Sequence, residues 1–307
     1  MTMVHALMRH WRALATAILM TVPLGCDTET NHPNVDDETT LQRIQRTGVV
    51  RVGYANEAPY AYLDSRTDTL TGEAPEVLRA VMRSMGVTKV EGVLTEFGAL
   101  IPGLRAKRFD IIAAGMYITP ERCQQIAFSN PSYAIGEAFI VKVGNPKALH
   151  SYGDVAAHAD ATLGVMAGAV ERGYARASGI PDARVVVFPD APSGLEAVQI
   201  GRVDAFAATS LTVRSLLAKT NSTRIEMANP FADPVVGGKS IRGFGAFGFR
   251  MEDVNLLSKF NEELRNFIGT PEHRAIVAPF GFTERELPGD TTAAELCAPE
   301  IQSGALN

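Results

Sequence analysis

The stretch FDIIAAGMYITPER, residues 109–122, joins an apolar run to the start of a helix. The part DIIAAGM predicts a buried strand, and Thr119 followed by Pro120 predicts a helix with the threonine as N-cap and the proline as its first residue. Arg122 then falls in the first turn, where the helix dipole already supplies partial positive charge. An arginine at this place indicates a site that receives an anion.

Strands and amphipathic helices alternate on both sides of this stretch. Before it, VVRVGYA predicts a strand, PEVLRAVMRSMG a helix that ends at Gly86, VEGVLTEF a strand and GALIPGLRAKRF a helix. The same order returns as ATLGVMAG, AVERGYARASG, RVVVFPD, SGLEAVQIGRV and DAFAAT. Such alternation is typical of parallel βαβ units, so the sequence predicts an α/β protein with two similar lobes.

A short internal repeat links the two predicted lobes. LIPGLRAKRFDIIAAG aligns with LEAVQIGRVDAFAAT when a two-residue offset is allowed. The alignment matches Arg108 with Arg202 and Asp110 with Asp204. The repeat is a further indication of two similar α/β lobes.

The segment after the second lobe predicts no third βαβ series. A strand, GFGAFGFR, precedes an amphipathic helix over 253–268 and a short helix from Pro271. These elements are expected to pack on the first lobe, so that strands near 139–143 and 246–250 cross between the lobes as a hinge. The predicted division is a signal peptide 1–25, a flexible tether 26–46, a first lobe 47–141 plus 247–290, a second lobe 142–246 and a C-terminal tail 291–307.

The N-terminus has the pattern of a secretory signal peptide. Arg9 and Arg12 precede the apolar run ALATAILMTVPLGC, which is too short for a comfortable membrane span. Its last residue, Cys26, follows a small residue and is predicted to carry a lipid anchor, although Pro23 is atypical of that motif. The alternative is ordinary cleavage nearby and free secretion. Either way we expect the protein to work outside the cytoplasm.

Composition narrows the classes of partner and chemistry. The 307 residues carry a net charge of −5 with no basic surface, which argues against nucleic acid as a partner. GFGAFG matches a dinucleotide-binding pattern in form only, since a strand follows it, and the histidines lack metal-ligand spacing, so no cofactor or metal is predicted. Beyond Cys26, Cys123 and Cys297 are an even pair in an oxidising compartment and are candidates for a disulfide.

Ligands of open α/β sheets bind beyond the carboxyl ends of the strands. In the first lobe those positions hold Glu57, Tyr60, Phe97, Tyr117 and Arg122. Three aromatic rings can enclose a delocalised cation, the glutamate can accept hydrogen bonds from its N–H groups, and the arginine offers paired donors to a carboxylate. The implied ligand is a small zwitterion with a flat cationic body.

The motifs resemble a known family. The signal peptide, the tether, the two lobes and the run GMYITPERCQQIAFSNPSY are similar to those of the extracellular solute-binding proteins of ABC importers for polar amino acids, over residues 47–290. The resemblance implies the type II periplasmic-binding fold, closure of the lobes on a ligand, a membrane permease as partner and no enzymatic activity. We expect a monomer.

Within that family, VGYANEAPYAY, TGEAPEVLRAV and ITPERCQQIAFSNP resemble the members that bind ectoine and hydroxyectoine. That resemblance implies a cage of Tyr60, Phe97 and Tyr117, with Arg122 on the ligand carboxylate and Glu57 on the ring nitrogens. Ectoine is a carboxylated cyclic amidinium, which agrees with the zwitterion inferred from the residues.

On the second lobe, Thr209 and the loop with Ala169 and Val170 are expected to complete the ligand contacts. Relatives often carry hydroxyl side chains at the two loop positions, so this chain is left with the backbone N–H groups there.

Two other functions remain open. A polar amino acid such as glutamine or arginine would need an acid from the second lobe for its α-ammonium group, and Glu171 or Asp190 could supply it. A cyclohexadienyl dehydratase-like enzyme would use Glu57 as its acid.

Overall fold

The computed structural model describes residues 38–237 and 239–298. The predicted signal peptide, the lipid-anchor candidate Cys26, most of the tether and the end of the C-terminal tail lie outside the described residues. The helices are α1 Thr40–Thr47, α2 Glu73–Ser84, α3 Leu100–Arg105, α4 Pro120–Cys123, α5 Tyr152–Ala157, α6 Glu171–Ala177, α7 Ala191–Gln199, α8 Ser210–Lys219, α9 Val254–Phe267, α10 Pro271–Val277 and α11 Ala293–Cys297.

The strands form two main sheets and two hairpins. They are β1 Val49–Tyr54, β2 Tyr62–Asp64, β3 Thr69–Thr71, β4 Lys89–Leu94, β5 Ile111–Tyr117, β6 Ala127–Phe128, β7 Tyr133–Ile135, β8 Glu137–Lys142, β9 Leu163–Met166, β10 Val185–Phe188, β11 Ala205–Thr209, β12 Ile225–Met227, β13 Val235–Val236, β14 Lys239–Ser240 and β15 Gly243–Phe249. The first sheet has the order β4-β1-β5-β15-β6, with β7 also paired to β15, and the second has the order β10-β9-β11-β8-β12.

Both sheets follow one plan. Strand β1 pairs in parallel with β4 and β5, and β9 pairs in parallel with β10 and β11. An antiparallel strand then joins each sheet, β15 beside β5 and β8 beside β11. The predicted two-lobe α/β architecture is confirmed.

The repeated aspartates occupy the same place in the two sheets. The carboxylate of Asp110 accepts the N–H of Arg51 at 2.9 Å, and its own N–H donates to the Arg51 carbonyl at 2.9 Å. Asp204 makes the same two bonds with Thr162, at 2.8 and 3.1 Å. Asp110 thus ties the start of β5 to β1, and Asp204 ties the start of β11 to the residue just before β9.

Both faces of the first sheet are covered, which explains the continuous apolar run of its central strand. Along β5, Ile111 and Ala113 pack in one hydrophobic cluster with α2 and α9, whereas Ile112 and Ala114 pack in another with α3. Successive side chains of a strand point to opposite faces, so a strand covered on both sides has apolar residues throughout. The second sheet also divides its buried residues between two clusters.

The chain crosses between the sheets earlier than predicted. Strand β7 ends in the first sheet at Ile135 and β8 begins in the second at Glu137; the chain leaves the second sheet after β12, at Met227, and rejoins the first sheet at Gly243. The predicted boundaries at 141/142 and 246/247 are therefore wrong by several residues. Residues 133–141 form one apolar run broken only by a glycine and a glutamate, so no change of pattern marks the crossing.

The prediction of a flexible tether up to residue 46 is also wrong. Helix α1 begins at Thr40, and Thr39 caps it by accepting the N–H of Gln42 at 3.3 Å while the Gln42 side chain accepts the N–H of Thr39 at 2.9 Å. Ile44 is fully buried in the first lobe. This reciprocal cap and one buried side chain order a segment that is otherwise polar. No helix in the described ranges is both long and apolar enough to span a membrane.

Candidate ligand-binding cleft

A cavity lies between the two sheets, at the carboxyl ends of their parallel strands. Its empty volume is about 320 Å³, part of which is open to solvent. The structure brings all eight sequence-predicted ligand residues to it: Glu57, Tyr60, Phe97, Tyr117, Arg122, Ala169, Val170 and Thr209. That these residues bind a ligand remains a prediction.

Arg122 reaches across the cavity from the first lobe. Helix α4 begins as predicted, with Thr119 accepting the N–H of Arg122 at 3.3 Å. The guanidinium donates to the Tyr117 carbonyl at 2.7 Å and, from its other terminal nitrogen, to the Gly168 carbonyl of the second lobe at 2.9 Å. It also lies 5.6 Å from the centre of the Phe97 ring. Two of its five N–H groups are thereby engaged, which leaves others to receive an anion.

The aromatic wall is held from behind by a tyrosine outside the cavity. The Tyr60 ring stacks on Tyr133 at 5.2 Å, and Tyr117 meets Tyr133 edge-on at 6.4 Å. Gly115 has a φ of +65°, and a Cβ atom there would lie 2.6 Å from the Tyr60 ring, so only glycine fits. The hydroxyl of Tyr117 is buried without a hydrogen-bond partner among the described residues. Buried polar groups usually have a partner, and a ligand in the cavity that Tyr117 lines could supply one.

The GFGAFG motif serves this wall. A Cβ atom on Gly243 would lie 1.8 Å from the Tyr117 ring, and one on Gly245 would lie 2.0 Å from the Tyr133 ring. Both glycines lie in β15, which pairs with β5 and β7. The motif thus makes room for two rings, which is why its resemblance to a phosphate-binding loop is only formal.

Buried acids lie at the cavity and behind it. Burial raises the pKa of Glu57 to about 7, although a hydrogen bond from Thr212 at 2.8 Å acts in the opposite direction. Burial also raises the pKa of Glu171 to about 7, and one of its carboxylate oxygens has no hydrogen-bond partner in the described chain. Behind it lies Glu137, which is 4 % exposed and whose pKa is raised by burial and by Glu171. For Arg122, burial lowers the pKa while Glu171 acts against that effect. The cleft is thus rich in groups that would bind a cation.

The two acids proposed to bind an α-ammonium group lie in different places. Glu171 lines the cavity and is 5 % exposed. Asp190 is exposed outside it and caps α7, where its carboxylate accepts the N–H of Ser193 at 2.8 Å. This cap holds the Asp190 carboxylate at the start of its own helix, and Asp190 is not among the residues that line the cavity.

Sequence reasoning missed Gly115 and Met166 among the cavity residues and treated Glu171 only as an alternative. Met166 is the last residue of β9, so the rule of strand carboxyl ends could have found it. Gly115 lies inside β5 and carries no such signal.

The second lobe offers fewer free donors than expected. The N–H of Ala169 already donates to the Met166 carbonyl at 3.3 Å, a long bond for which a ligand would have to compete. The hydroxyl of Thr209 accepts from Tyr60 and donates to Thr212.

A disulfide lies beside the arginine. Cys123, the last residue of α4, is bonded to Cys297 in α11, with Cα atoms 5.6 Å apart. The bond fixes the C-terminal helix against the helix that carries Arg122. Within the described ranges no group of three or more His, Cys, Asp or Glu side chains could hold a metal ion.

Solved structures share the fold. A crystal structure of EhuB in complex with hydroxyectoine is similar with a TM-score of 0.76 and 35 % identity, over 84 % of this chain and 98 % of that one. An ancestral amino acid-binding protein described as a precursor of cyclohexadienyl dehydratase has a TM-score of 0.67 and 25 % identity, over 79 % and 99 %. The two-lobe type II periplasmic-binding architecture predicted from the sequence is therefore the observed one.

Curated relatives of similar sequence are also binding proteins. A probable amino-acid ABC transporter periplasmic-binding protein of Sinorhizobium fredii is 38 % identical over 263 residues, 84 % of this chain and 86 % of that protein. An L-cystine-binding protein of Bacillus subtilis is 27 % identical over 75 % of this chain and 82 % of its own. The sequence model of the family described as bacterial extracellular solute-binding proteins, family 3, matches residues 50–283. The chain therefore belongs to the bacterial extracellular solute-binding proteins, family 3.

Proposed function

We propose that this protein is the binding component of an ABC importer and takes up a small zwitterion of the ectoine and hydroxyectoine type. The observation that carries the proposal is that Arg122, Glu57 and the rings of Tyr60, Phe97 and Tyr117 line one cavity. An arginine and an acid at one cavity suit a ligand with one anionic and one cationic part. The structural similarity to EhuB, solved with hydroxyectoine, supports the same class of ligand.

Each group has a role in this proposal. The remaining N–H groups of Arg122 receive the ligand carboxylate. The rings cover the flat cation, and each contributes about 0.5 to 2 kcal/mol once water is excluded. Glu57 accepts the ring N–H groups. The unpartnered Tyr117 hydroxyl offers one further hydrogen bond to a polar substituent.

The partners and the location follow from the family. Family membership places the protein outside the cytoplasm. Delivery to an ABC permease is supported by the name of the Sinorhizobium relative. Anchoring by lipid at Cys26 and a monomeric state complete the proposal. Metabolic labelling with a fatty-acid analogue, in the wild type and in Cys26→Ala, tests the anchor.

Titration calorimetry of the purified protein tests the ligand. Ectoine, hydroxyectoine, glutamine and arginine are titrated in parallel, and we expect heat with an ectoine and none with the amino acids. If neither ectoine nor hydroxyectoine gives heat, the proposed ligand is wrong.

One observation favours a second candidate, a polar amino acid. Glu171 presents an unpartnered carboxylate oxygen at the cavity, where an α-ammonium group could bind. If an amino acid is the ligand, Glu171→Gln costs about 2 kcal/mol of affinity, because the ammonium loses its charged partner. If hydroxyectoine is the ligand, the same change has a small effect.

An enzymatic role is not part of the proposal. The names of the relatives describe binding proteins, and the ancestral neighbour is itself called an amino acid-binding protein. Incubation with prephenate and detection of phenylpyruvate is the direct check, and we expect no turnover.

A further inference from the structure

A chain of hydroxyl groups crosses the cleft and ends on Glu57. The hydroxyl of Tyr60 donates to Oγ1 of Thr209 at 2.7 Å, Thr209 donates to Oγ1 of Thr212 at 3.0 Å, and Thr212 donates to Oε1 of Glu57 at 2.8 Å. The first and last groups belong to the loop after β1, whereas the two threonines belong to the start of α8. The series of hydrogen bonds therefore passes from the first lobe to the second and back to the first.

The direction of these bonds is set at the carboxylate. An ionised glutamate can only accept, so Thr212 must donate to it and can then only accept from Thr209. The hydroxyl of Thr209 donates its single proton to Thr212 and therefore accepts from Tyr60. Each hydroxyl thus makes one donated and one accepted bond along the chain, except that of Tyr60, which begins it.

The start of α8 is fixed against the first lobe by packing as well. Leu211, between the two threonines, is 4 % exposed and belongs to the hydrophobic cluster of the first lobe. Thr209 also caps the helix by accepting the N–H of Thr212 at 3.2 Å. The hydroxyl of Thr212 is therefore held in place by its own helix and by Leu211.

We propose that Thr212 is a positioning residue for ligand binding, which holds Glu57 by Oε1 so that Oε2 remains for the cationic part of the ligand. Thr212 is fully buried and does not line the cavity, so it acts only through the glutamate. The inference rests on the proposed function, in which Glu57 meets the cation. It adds a residue of the second lobe that the ligand does not touch.

The hydrogen bond from Thr212 also favours the charge of Glu57. Burial raises the pKa of this acid, and the hydroxyl lowers it. The other titratable or charged groups around the acid come from both lobes: Tyr60, Tyr133 and Arg122 from the first, and Glu137 and Glu171 from the second. Without the hydroxyl, more Glu57 is protonated near neutral pH, and a protonated acid attracts a cation less.

The pKa of Glu57 in the ligand-free protein tests the inference directly. It is measured by NMR of side-chain ¹³C-labelled glutamate in the wild type, Thr212→Val and Thr212→Ser. The control is Ser210→Ala, which removes a hydroxyl from the same helix that takes no part in the series of hydrogen bonds. We expect a higher pKa in the valine variant only, with serine restoring the wild-type value. An unchanged pKa in the valine variant overturns the proposal. Should that variant not fold, Thr212→Ala takes its place under the same criterion.

Binding of hydroxyectoine provides the second readout. In calorimetry across the pH range, we expect Thr212→Val to weaken binding about ten-fold near neutral pH and less at higher pH, where Glu57 is ionised again. Thr212→Ser is expected to bind as the wild type does. Equal affinity of the valine variant at every pH contradicts the positioning role. If the wild type itself gives no heat, the proposed ligand is wrong, and the NMR measurement still decides the role of Thr212.

Discussion

Asp110 and Asp204 make the same two backbone bonds in the two sheets, yet the sheet edges that follow differ in chemistry. The edge of the first sheet gives the cavity two charged groups and three aromatic rings. The edge of the second gives mainly small or apolar side chains, one threonine and Glu171. The repeat preserves the backbone plan of a lobe, whereas the loops after the strands are free to differ.

The difference assigns separate tasks to the two lobes. The first lobe provides the side chains that would select a ligand, and the second provides groups that complete them across the cleft. The carbonyl of Gly168 accepts a hydrogen bond from Arg122, and the hydroxyl of Thr212 donates one to Glu57. Changes on the first edge should therefore cost more affinity than changes on the second.

The largest effect is expected for Arg122→Ala. This change leaves the ligand carboxylate without its charged donor and should weaken hydroxyectoine binding by about 3 kcal/mol, roughly a hundredfold. Arg122→Lys is the matched control, which keeps the charge but loses the paired N–H geometry. Calorimetry measures both, and thermal unfolding checks the fold. A greater loss from Tyr117→Ala would show that the ring matters more than the charge.

The next effect compares the repeated aspartates. Asp110 is 1 % exposed and forms ion pairs with Arg43 at 2.6 Å and Arg51 at 2.9 Å. The side chain of Asp204 is 30 % exposed, and its ion pair is with Lys147 at 3.1 Å. Because a buried, paired charge is costly to remove, Asp110→Asn should lower the free energy of unfolding by about 3 kcal/mol and Asp204→Asn by about 1 kcal/mol. Urea unfolding of both variants measures the two losses. Equal losses would mean that the two aspartates contribute equally to stability, which would contradict the prediction.

A pH effect should be common to both edges. The folded-state pKa of Glu57 and of Glu171 is about 7, above the ordinary value of 4.5. Folding therefore favours their protonated forms, and the stability that each contributes is fully present below pH 4.5 and is lost as the pH rises through 7. The loss is on the order of 3 kcal/mol per acid.

Glu57→Gln and Glu171→Gln should each make the stability of the ligand-free protein less dependent on pH in this window. Urea unfolding at a series of pH values measures it, with Glu284→Gln, an exposed acid, as the control. A variant whose stability depends on pH as steeply as the wild type would contradict the pKa given for that acid.

The smallest effect is expected for Ala169→Ser on the second edge. A hydroxyl at this cavity-lining position would exchange a hydrogen bond to water for one to the ligand, so hydroxyectoine affinity should change by about 0.5 kcal/mol or less. Ala167→Ser, in the same loop but outside the residues that line the cavity, is the control. A tenfold gain with Ala169→Ser alone would show that the second edge selects ligands through side chains after all.

Much of the fold and of the site follows from local patterns. The apolar run of β5, the N-cap Thr119 and the positions after the strands predict the first edge because each depends on neighbours in the sequence. The same reasoning could not choose between Glu171 and Asp190, since both follow a strand. The choice depends on which of the two acids faces the cavity, and only the packed structure shows that Glu171 does.

The sequence by itself determined the two α/β lobes, the repeat with its aspartates and eight of the residues that reach the cavity, because periodicity and caps are local properties of the chain. Only the tertiary structure decided where the chain crosses between the sheets, that GFGAFG makes room for aromatic rings, and that Thr212 holds Glu57. The last two residues are 155 positions apart. Contacts at such a distance arise from the packing of elements, and no local pattern encodes them.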